Sequence, residues 1–411
     1  MTMSQYEQVY ITDIAYGGDG VGRLADGNVV FVPYAAMGDL VEIMVTERKK
    51  LFCRGVINEI IEPSADRTTP KCRYYGKCGG CAYQHLNYEA EIDAKTKQFN
   101  DLIRRIGKFE SFPEPELIFP SPLEYGYRNK IRLEPGEREL AATGYFVPYG
   151  YYMRDNTTFF MVRSCPLAQE PLNALLPRAI RSDWGKQNAK RKKPYTLTLR
   201  VTTDGETSYY FGQAPLNMTW LRERLLDVEY RVPVGGFWQV NPPVAERLLE
   251  IAKAWTADLP VSELIDVYGG AGTFTMQIGQ RFAKRALVES DIPAVEAADF
   301  TFQEAAMPVT LWKGTADEFL PADDGPLAEA NLSETLLVLD PPRSGCQPSV
   351  LQALIDRPPK FILYVSCNVA TLARDLKILC DHNLYKPTRS AIFDMFPKTA
   401  HFESMTLLER Q

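Results

Sequence analysis

No stretch of the chain is apolar enough to cross a membrane: its longest hydrophobic runs are broken by charge or proline well short of the roughly 18 to 20 residues a span requires. The opening residues, Met1 to Asp13, lack a basic segment followed by an apolar one, so no secretory signal is expected and the protein is assigned to the cytoplasm. An excess of positive charge is missing as well. With 46 Lys and Arg against 52 Asp and Glu, the formal net charge is −6, which as a global property counts mildly against nucleic-acid binding, because phosphate contacts rest on Lys and Arg. In a cytoplasmic chain disulfides are not expected, so the 8 cysteines need another explanation.

What is present is an ordinary globular composition, 45% hydrophobic and 24% charged over 411 residues, enough for two or three domains with their own cores. The basic residues are clustered even though they are outnumbered: Arg48, Lys49, Lys50 and Arg54; Arg104, Arg105 and Lys108; and, most densely, Lys186, Lys190, Arg191, Lys192 and Lys193. A charge run is most often a solvated face, so these clusters permit a polyanion partner without requiring one.

From Tyr6 to about Ile61, short β-rich runs such as Val29 to Pro33 and Leu40 to Val45 alternate with Gly and Asp turns, notably Gly17-Gly18-Asp19-Gly20-Val21-Gly22-Arg23. Closely spaced strands without a helical pattern predict a small OB-like β-barrel, a fold that can bind RNA or act as a structural cap. The strand order and glycine pattern resemble a TRAM domain, an RNA-binding module.

Cys72, Cys78 and Cys81 follow in a C-x5-C-x2-C frame, with Cys165 far downstream in Arg163-Ser164-Cys165-Pro166. Four thiolates suit tetrahedral zinc or an iron-sulfur cluster. The glycine-rich loops and the proline after the last cysteine favour the cluster. The long first gap and the fourth cysteine favour a closed, structural site over one with an open iron for radical chemistry. The segment Asn87 to Gly107 carries apolar residues at helical spacing. Tyr127 to Val162 and Tyr195 to Phe211 read as antiparallel strands, with the Lys186 to Lys193 patch on a loop between them.

From Glu263 onward strand and helix alternate, which predicts a parallel sheet covered on both faces. Strands are expected at Glu263 to Tyr268, Ala286 to Glu289, Val309 to Trp312, Leu336 to Asp340 and Phe361 to Val365, and a helix opens at Phe274. In such sheets ligands sit beyond the carboxyl ends of the strands. Gly269-Gly270-Ala271-Gly272 occupies that edge after the first strand, and Glu289 ends the second, about 20 residues on, where an acid can take both ribose hydroxyls. Gly270-Ala271-Gly272-Thr273-Phe274-Thr275 does not complete the dinucleotide pattern, so S-adenosylmethionine is preferred to NAD. Asp340-Pro341-Pro342-Arg343 and Cys367 end the next strands at the same edge. A free cysteine is usually a small apolar filler, so Cys367 gains meaning only from these neighbours.

Phe237-Trp238-Gln239-Val240-Asn241, Asp266 to Gly272, Asp340 to Arg343, Val365-Ser366-Cys367-Asn368 and Pro397-Lys398-Thr399-Ala400-His401-Phe402-Glu403 together resemble the RNA (uracil-5-)methyltransferase family. With the TRAM-like start and four cysteines, the resemblance is to its iron-sulfur-containing 23S ribosomal RNA branch and covers nearly the whole chain. It implies a multidomain protein: a TRAM barrel over 1–62; a central α+β domain over 63–232 holding a [4Fe-4S] cluster on Cys72, Cys78, Cys81 and Cys165, with helix 87–107 a candidate to pack on the catalytic domain; and a Rossmann-like catalytic domain over 233–411. The implied nucleophile is Cys367 and the implied base Glu403, with His401 as the alternative. S-adenosylmethionine is implied to contact Gln239, Tyr268, Thr273, Glu289, Asp317 and Asp340. This chain departs from the family pattern at Gly269, where cysteine is frequent, at Thr273, where asparagine is usual, and at Lys398, where glutamine is common. Cys53, Cys346 and Cys380 match no role and are read as structural.

The expected activity is methylation of uridine C5 in RNA, with 23S ribosomal RNA as substrate and the tRNA T-loop or a non-catalytic RNA-binding role as alternatives. The target base must be flipped out of its stack, and Tyr125, Tyr127 and Phe396 are candidates to stack on it. A monomer without membrane or obligate protein partner is expected.

Overall fold

The computed structural model describes residues 6–141, 144–214 and 220–411. Five strands, Tyr6–Ile14, Asp19–Arg23, Val29–Pro33, Leu40–Arg48 and Cys53–Glu62, close into a barrel whose first strand pairs antiparallel with both the second and the fourth. Alternation along these strands sends Val9, Ile11, Val30, Val32, Val41 and Ile43 inward, with Leu24 and Cys53, to form the barrel's own core. The basic residues of this barrel are largely matched: Arg48 pairs with Glu7 and Asp26, Arg54 with Asp19 and Glu47, and Lys49 with Glu47.

A second unit is built on a five-stranded sheet in the order Phe159–Met161, Tyr149–Tyr152, Lys130–Pro135, Leu197–Val201 and Thr207–Phe211. Leu172, Leu175, Leu176 and Ala179 of the helix Glu170–Arg181 cover it. The loop expected to hold the basic patch is in part helical, because Ser182 caps Asp183–Ala189 by accepting the Gly185 N–H at 3.0 Å. Lys186 therefore stands on a short helix and Lys190 to Lys193 follow its end.

The large sheet has eight strands, in the order Thr310–Lys313, Lys284–Glu289, Glu263–Val267, Thr335–Leu339, Phe361–Ser366, Glu403–Arg410, Tyr385–Phe393 and Pro115–Phe119. The first five run parallel; Glu403–Arg410 is antiparallel to both its neighbours. Strand order reverses at Glu263–Val267, whose two neighbours follow it in opposite directions across the sheet, the kind of switch point at which open α/β sheets bind ligands. Thr335–Leu339 and Phe361–Ser366 are buried at every position, as both-faces coverage requires. Leu336, Val338, Leu363 and Val365 enter the core on one face, and Leu337, Leu339, Ile362 and Tyr364 that on the other.

Two segments that an expected boundary at 232/233 assigns to the central unit contribute here. Pro115–Phe119 adds an edge strand to the large sheet, and the hairpin Trp220–Leu225 with Val228–Pro233 places Leu225, Tyr230 and Val232 in the same core as Leu264 and Val338. The helix Tyr88–Arg105, capped by Asn87 accepting the Ala90 N–H at 2.9 Å, buries Phe99 and Ile103 with Leu372 and Leu376 of the helix Val369–Leu379. Among the described residues no helix is long and apolar enough to cross a membrane.

Candidate active site

Register brings Cys367 to Glu403. Ser366 pairs with Ser404 across the antiparallel ladder, so the next residue on one strand, Cys367, and the preceding residue on the other, Glu403, follow at its open end. The Ser366 hydroxyl donates to the Asn368 carbonyl and accepts the Asn368 N–H, both at 3.1 Å. This tight turn releases Cys367 from the strand before the Asn368 side chain caps the next helix on the Ala370 N–H at 3.1 Å. Asn368 Nδ2 donates to the Arg343 carbonyl at 2.9 Å, and Thr371 Oγ1 to the same carbonyl at 3.3 Å, which fixes the Asp340-Pro341-Pro342-Arg343 turn beside the cysteine.

The electrostatics of this edge are those of crowded acids. Burial pushes the Cys367 thiol up to about 12, Glu403 and Asp340 push the same way, and the Arg343 guanidinium opposes them. The Glu403 carboxyl stands well above its ordinary range through burial first and then Asp340, again opposed by Arg343; its Oε2 has no hydrogen-bond partner. Asp340 is raised to about 7 by burial and by Asp266. Asp266 is fully buried and raised to about 6, burial dominating over the Thr275 N–H and hydroxyl that donate to its Oδ2 at 3.0 and 2.7 Å. Glu403 and Asp340 act on the half-buried thiol and Asp266 acts on Asp340 in turn; this run of acids, with unpartnered oxygens on Glu403 and Asp266, makes a place that favours a cation.

The glycine turn is shaped for close approach. Gly270 and Gly272 have φ of +54° and +78°, and a Cβ on Gly272 would stand 2.4 Å from Phe302 Cζ. A Cβ on Gly269 would meet Leu287 Cδ1 at 2.7 Å, which accounts for glycine at that position in this chain. Glu289 Oε2 accepts the Gly270 N–H at 2.9 Å and Oε1 accepts the Asp291 N–H at 2.7 Å, so the carboxylate is held at the edge of the turn. Tyr268, at φ +63°, feels Asp317 as a neighbouring charge, and burial raises its phenol strongly. Asp317 is exposed in the first turn of Ala316–Phe319, and Thr273 opens the helix that follows the turn. Gln239 is half-buried, its carbonyl accepting Asn129 Nδ2 at 2.9 Å. The structure thus gathers Cys367, Glu403 and Asp340 into one electrostatic cluster and ties Glu289 to the glycine turn.

His401 sits near the same arginine but differs in character: burial lowers it to about 4, helped by Arg343, Lys95 and Arg128, and its buried Nδ1 has no partner. Phe396 is half-buried, edge-on to His401 with ring centroids 6.4 Å apart, and Tyr125 is half-buried under Lys71, whose Nζ is 4.4 Å from the ring centroid. Tyr127 differs from the base-stacking position expected for it. It is 1% exposed and its hydroxyl donates to the Pro397 carbonyl at 3.1 Å, so it is part of the core and is unable to stack on a base.

Cys72, Cys78, Cys81 and Cys165 line a single cavity with Tyr74, Tyr151 and Pro166, and all are unpaired. The Gly80 N–H donates to Cys78 Sγ at 3.4 Å and Gln84 Nε2 to Cys81 Sγ at 3.2 Å. Among the described residues no set of three or more His, Cys, Asp or Glu side chains is arranged around the position of a single metal ion. Cys53 and Cys346 are buried in apolar cores, and Cys380 packs against one.

Some participants carried no signal as motifs. The Pro397 to His401 loop rests on a buried charge network: Lys95 Nζ lies 2.7 Å from both Glu91 Oε1 and Asp394 Oδ1, and Lys398 Nζ 3.1 Å from Glu91 Oε2 and 2.9 Å from Glu124 Oε2. A Glu and a Lys four residues apart on a helix, as at Glu91 and Lys95, was the available hint, although such pairs are normally exposed.

Residues 216–411 match the family model of tRNA (Uracil-5-)-methyltransferase and residues 4–57 that of the TRAM domain. The chain is 32% identical to the 23S rRNA (uracil(1939)-C(5))-methyltransferase RlmD of Dichelobacter nodosus, covering 99% of this chain and 100% of that one. It is 31% identical to an uncharacterized RNA methyltransferase of Nostoc sp., covering 99% and 98%. The crystal structure of Pyrococcus abyssi tRNA (uracil-54, C5)-methyltransferase in complex with S-adenosyl-L-homocysteine superposes with a TM-score of 0.68 at 25% identity, covering 98% of this chain and 99% of that one.

Proposed function

Given that the chain belongs to the RNA (uracil-5-)methyltransferase family, with a TRAM domain at its start, we propose that it methylates a uridine of 23S ribosomal RNA through covalent catalysis by Cys367. The activity itself, S-adenosylmethionine-dependent methylation of uracil C5 in RNA, follows from the family. The observation that carries the residue roles is the placement of Cys367 opposite Glu403 at the end of one ladder, between Asp340 and Arg343.

Uracil C5 is a poor nucleophile until a thiolate adds to C6. Cys367 Sγ forms the bond to C6, the C5=C6 electrons move onto the O4 carbonyl, and the enolate so formed makes C5 nucleophilic. S-adenosylmethionine would supply an electrophilic methyl on its sulfonium: C5 takes that methyl as the carbon–sulfur bond breaks, and the neutral thioether S-adenosylhomocysteine is the leaving group. Glu403 then takes the C5 proton, the electrons of that C–H bond restore C5=C6, and Cys367 leaves as thiolate. A raised carboxyl is the stronger base than an imidazole lowered to about 4, which favours Glu403 over His401. Burial disfavours the anions of both Cys367 and Glu403, and a sulfonium charge beside them would favour both. Glu289 is suited to the ribose, the glycine turn to close backbone approach, and Gln239, Tyr268, Thr273, Asp317 and Asp340 to the remaining cofactor contacts.

Cys72, Cys78, Cys81 and Cys165 are assigned to a [4Fe-4S] cluster. Supporting this are their convergence on one cavity, the N–H donors aimed at two of the sulfurs, and the fact that a cluster seats each thiolate on its own iron and needs more room than one ion. Its role is structural, as a clamp on the adjoining loops.

Incubating the protein and tritiated-methyl S-adenosylmethionine with total RNA from a strain lacking the gene, then mapping the labelled nucleotide, tests the reading. A label in 23S ribosomal RNA is expected. A label in the tRNA T-loop would favour the second reading, which the likeness to the Pyrococcus abyssi enzyme keeps in view; no label in any RNA would overturn both and leave an RNA-binding protein.

A further inference from the structure

The barrel reaches the catalytic centre with one side chain. Tyr16 follows the first barrel strand and precedes Gly17 and Gly18, whose φ values of +104° and +96° turn the chain sharply enough to leave the tyrosine projecting off the barrel. Its ring is half-buried against the core that contains Tyr364, Val369 and Leu372, and its hydroxyl donates to Asn368 Oδ1 at 3.1 Å.

The loop is held in place from several sides. Gln98 Nε2 donates to the carbonyls of Ile14 and Ala15 at 3.3 and 3.1 Å. Asp19 pairs with Arg154 of the central unit at 2.7 Å and with Arg54 of the barrel at 3.4 Å. A Cβ on Gly18 would lie 2.6 Å from Ala82 Cβ, so the turn is pressed onto the residue that follows Cys81. A loop anchored to three separate segments is a fixed part of the site wall, unlike a module on a tether.

We propose that Tyr16 is a positioning residue for the methyl transfer: through Asn368 it sets the turn that carries Cys367 and the Arg343 backbone beside it. Asn368 is the junction. Its Oδ1 receives the Tyr16 hydroxyl and the Ala370 N–H, and its Nδ2 donates to the Arg343 carbonyl, so both ends of the amide are committed and the phenol is one of the three contacts that hold its orientation. Arg343 is the cation that opposes the upward pull on both Cys367 and Glu403, which gives its placement a chemical consequence. Burial, with the field of Cys367 next, raises the phenol to about 12, so Tyr16 remains a neutral donor at working pH. The barrel therefore serves the chemistry as well as the RNA.

This inference rests on the methyltransferase reading above. The experiment compares wild type, Tyr16→Phe, Asn368→Ala, the double variant and Tyr10→Phe, an exposed hydroxyl elsewhere on the barrel, on a ribosomal RNA fragment. It measures kcat, KM for RNA and the pH dependence of adduct formation with 5-fluorouridine RNA. Losing the hydroxyl of Tyr16 is expected to lower kcat and the adduct rate about 2- to 10-fold, the range of one hydrogen bond, while KM for RNA stays within about twofold. The double variant is expected to be no slower than Asn368→Ala alone, because both act through one contact, and the adduct pH profile is expected to move upward as Arg343 loses its place. Tyr10→Phe is expected to match wild type. An unchanged kcat in Tyr16→Phe, an effect confined to KM, or additive losses would overturn the proposal. A wild type that labels no RNA would instead overturn the reading beneath it.

Discussion

The carbonyl of Lys398 accepts the N–H of Ala82 at 2.9 Å, and that of Tyr83 at 3.2 Å, so the segment leaving Cys81 is bonded directly to the loop that leads into Glu403. A cluster held by Cys81 would thus fix one side of the catalytic loop without taking part in the reaction. Stripping the metal anaerobically with a chelator, or replacing Cys81 with Ala, is expected to accelerate amide exchange across residues 396–403 and to lower Tm, since a metal that binds only the folded state contributes folding free energy. Exchange within the barrel core, around Val9 and Ile43, is expected to stay unchanged. Iron and sulfide analysis against zinc content checks the identity of the group; exchange that ignores metal removal would disconnect the two sites.

Lys398 carries a second load. Its side chain is 1% exposed, with Nζ between Glu91 and Glu124, and its backbone sits at φ +65°. Replacing it with Met leaves Glu91 buried beside Asp394 with Lys95 as the sole cation between them, and breaking a buried pair on one side typically costs about 3–5 kcal/mol. Lys398→Met is expected to lose stability on that order by urea unfolding, and Lys398→Gln less, because the amide still donates to one carboxylate. Equal stability in all three would mean the network adds nothing net.

Much of this centre was legible in the sequence because its parts are local. Continuous apolar runs such as Phe361 to Val365 mark strands buried on both faces, and a cysteine or Asp-Pro-Pro directly after such a run must lie at the sheet's carboxyl edge. Less legible was which core receives an element. The hairpin 220–233 alternates as any half-buried hairpin does, and nothing local says that Tyr230 and Val232 pack with Val338. The helix Glu170–Arg181 contains Pro177, which reads as a breaker, and the barrel's Arg48 and Arg54 look free until the fold brings Glu7, Asp26 and Asp19 to them. Tyr127 offered a plausible aromatic and proved to be core, whereas Tyr16 sat unnoticed in a glycine turn, because a contact across 352 residues leaves no local pattern.

Asp340 is expected to cost stability for the sake of function. Its folded value of about 7, and that of about 6 for Asp266, lie above the unfolded value near 3.9. Between those limits the folded chain keeps protons that the unfolded chain has released, so stability is present below about pH 4 and declines as pH rises towards 7. Asp340→Asn removes the need to ionise. It is expected to be about 1–2 kcal/mol more stable than wild type at pH 7, to show a flatter Tm profile between pH 4 and 7, and to have lost methyl transfer. A variant less stable than wild type at neutral pH would show that a favourable contact of the carboxylate outweighs its burial.

The pairing of Cys367 with Glu403 makes the two halves of the reaction separable. Cys367→Ala removes the thiol that faces Glu403, so no adduct with 5-fluorouridine RNA is expected and methylation should fall to background, while binding of the RNA remains. Glu403→Gln keeps the thiol and the methyl donor's site but removes the base. Addition and methyl transfer proceed, the C5 proton has no acceptor, and elimination stalls. On ordinary uridine RNA this variant is expected to accumulate a protein–RNA adduct resistant to denaturing electrophoresis, with turnover reduced by about 100- to 10,000-fold, the usual contribution of a positioned base. If Glu403→Gln turns over freely, the proton goes elsewhere, and His401, buried near Arg343 with an unpartnered Nδ1, becomes the group to replace next.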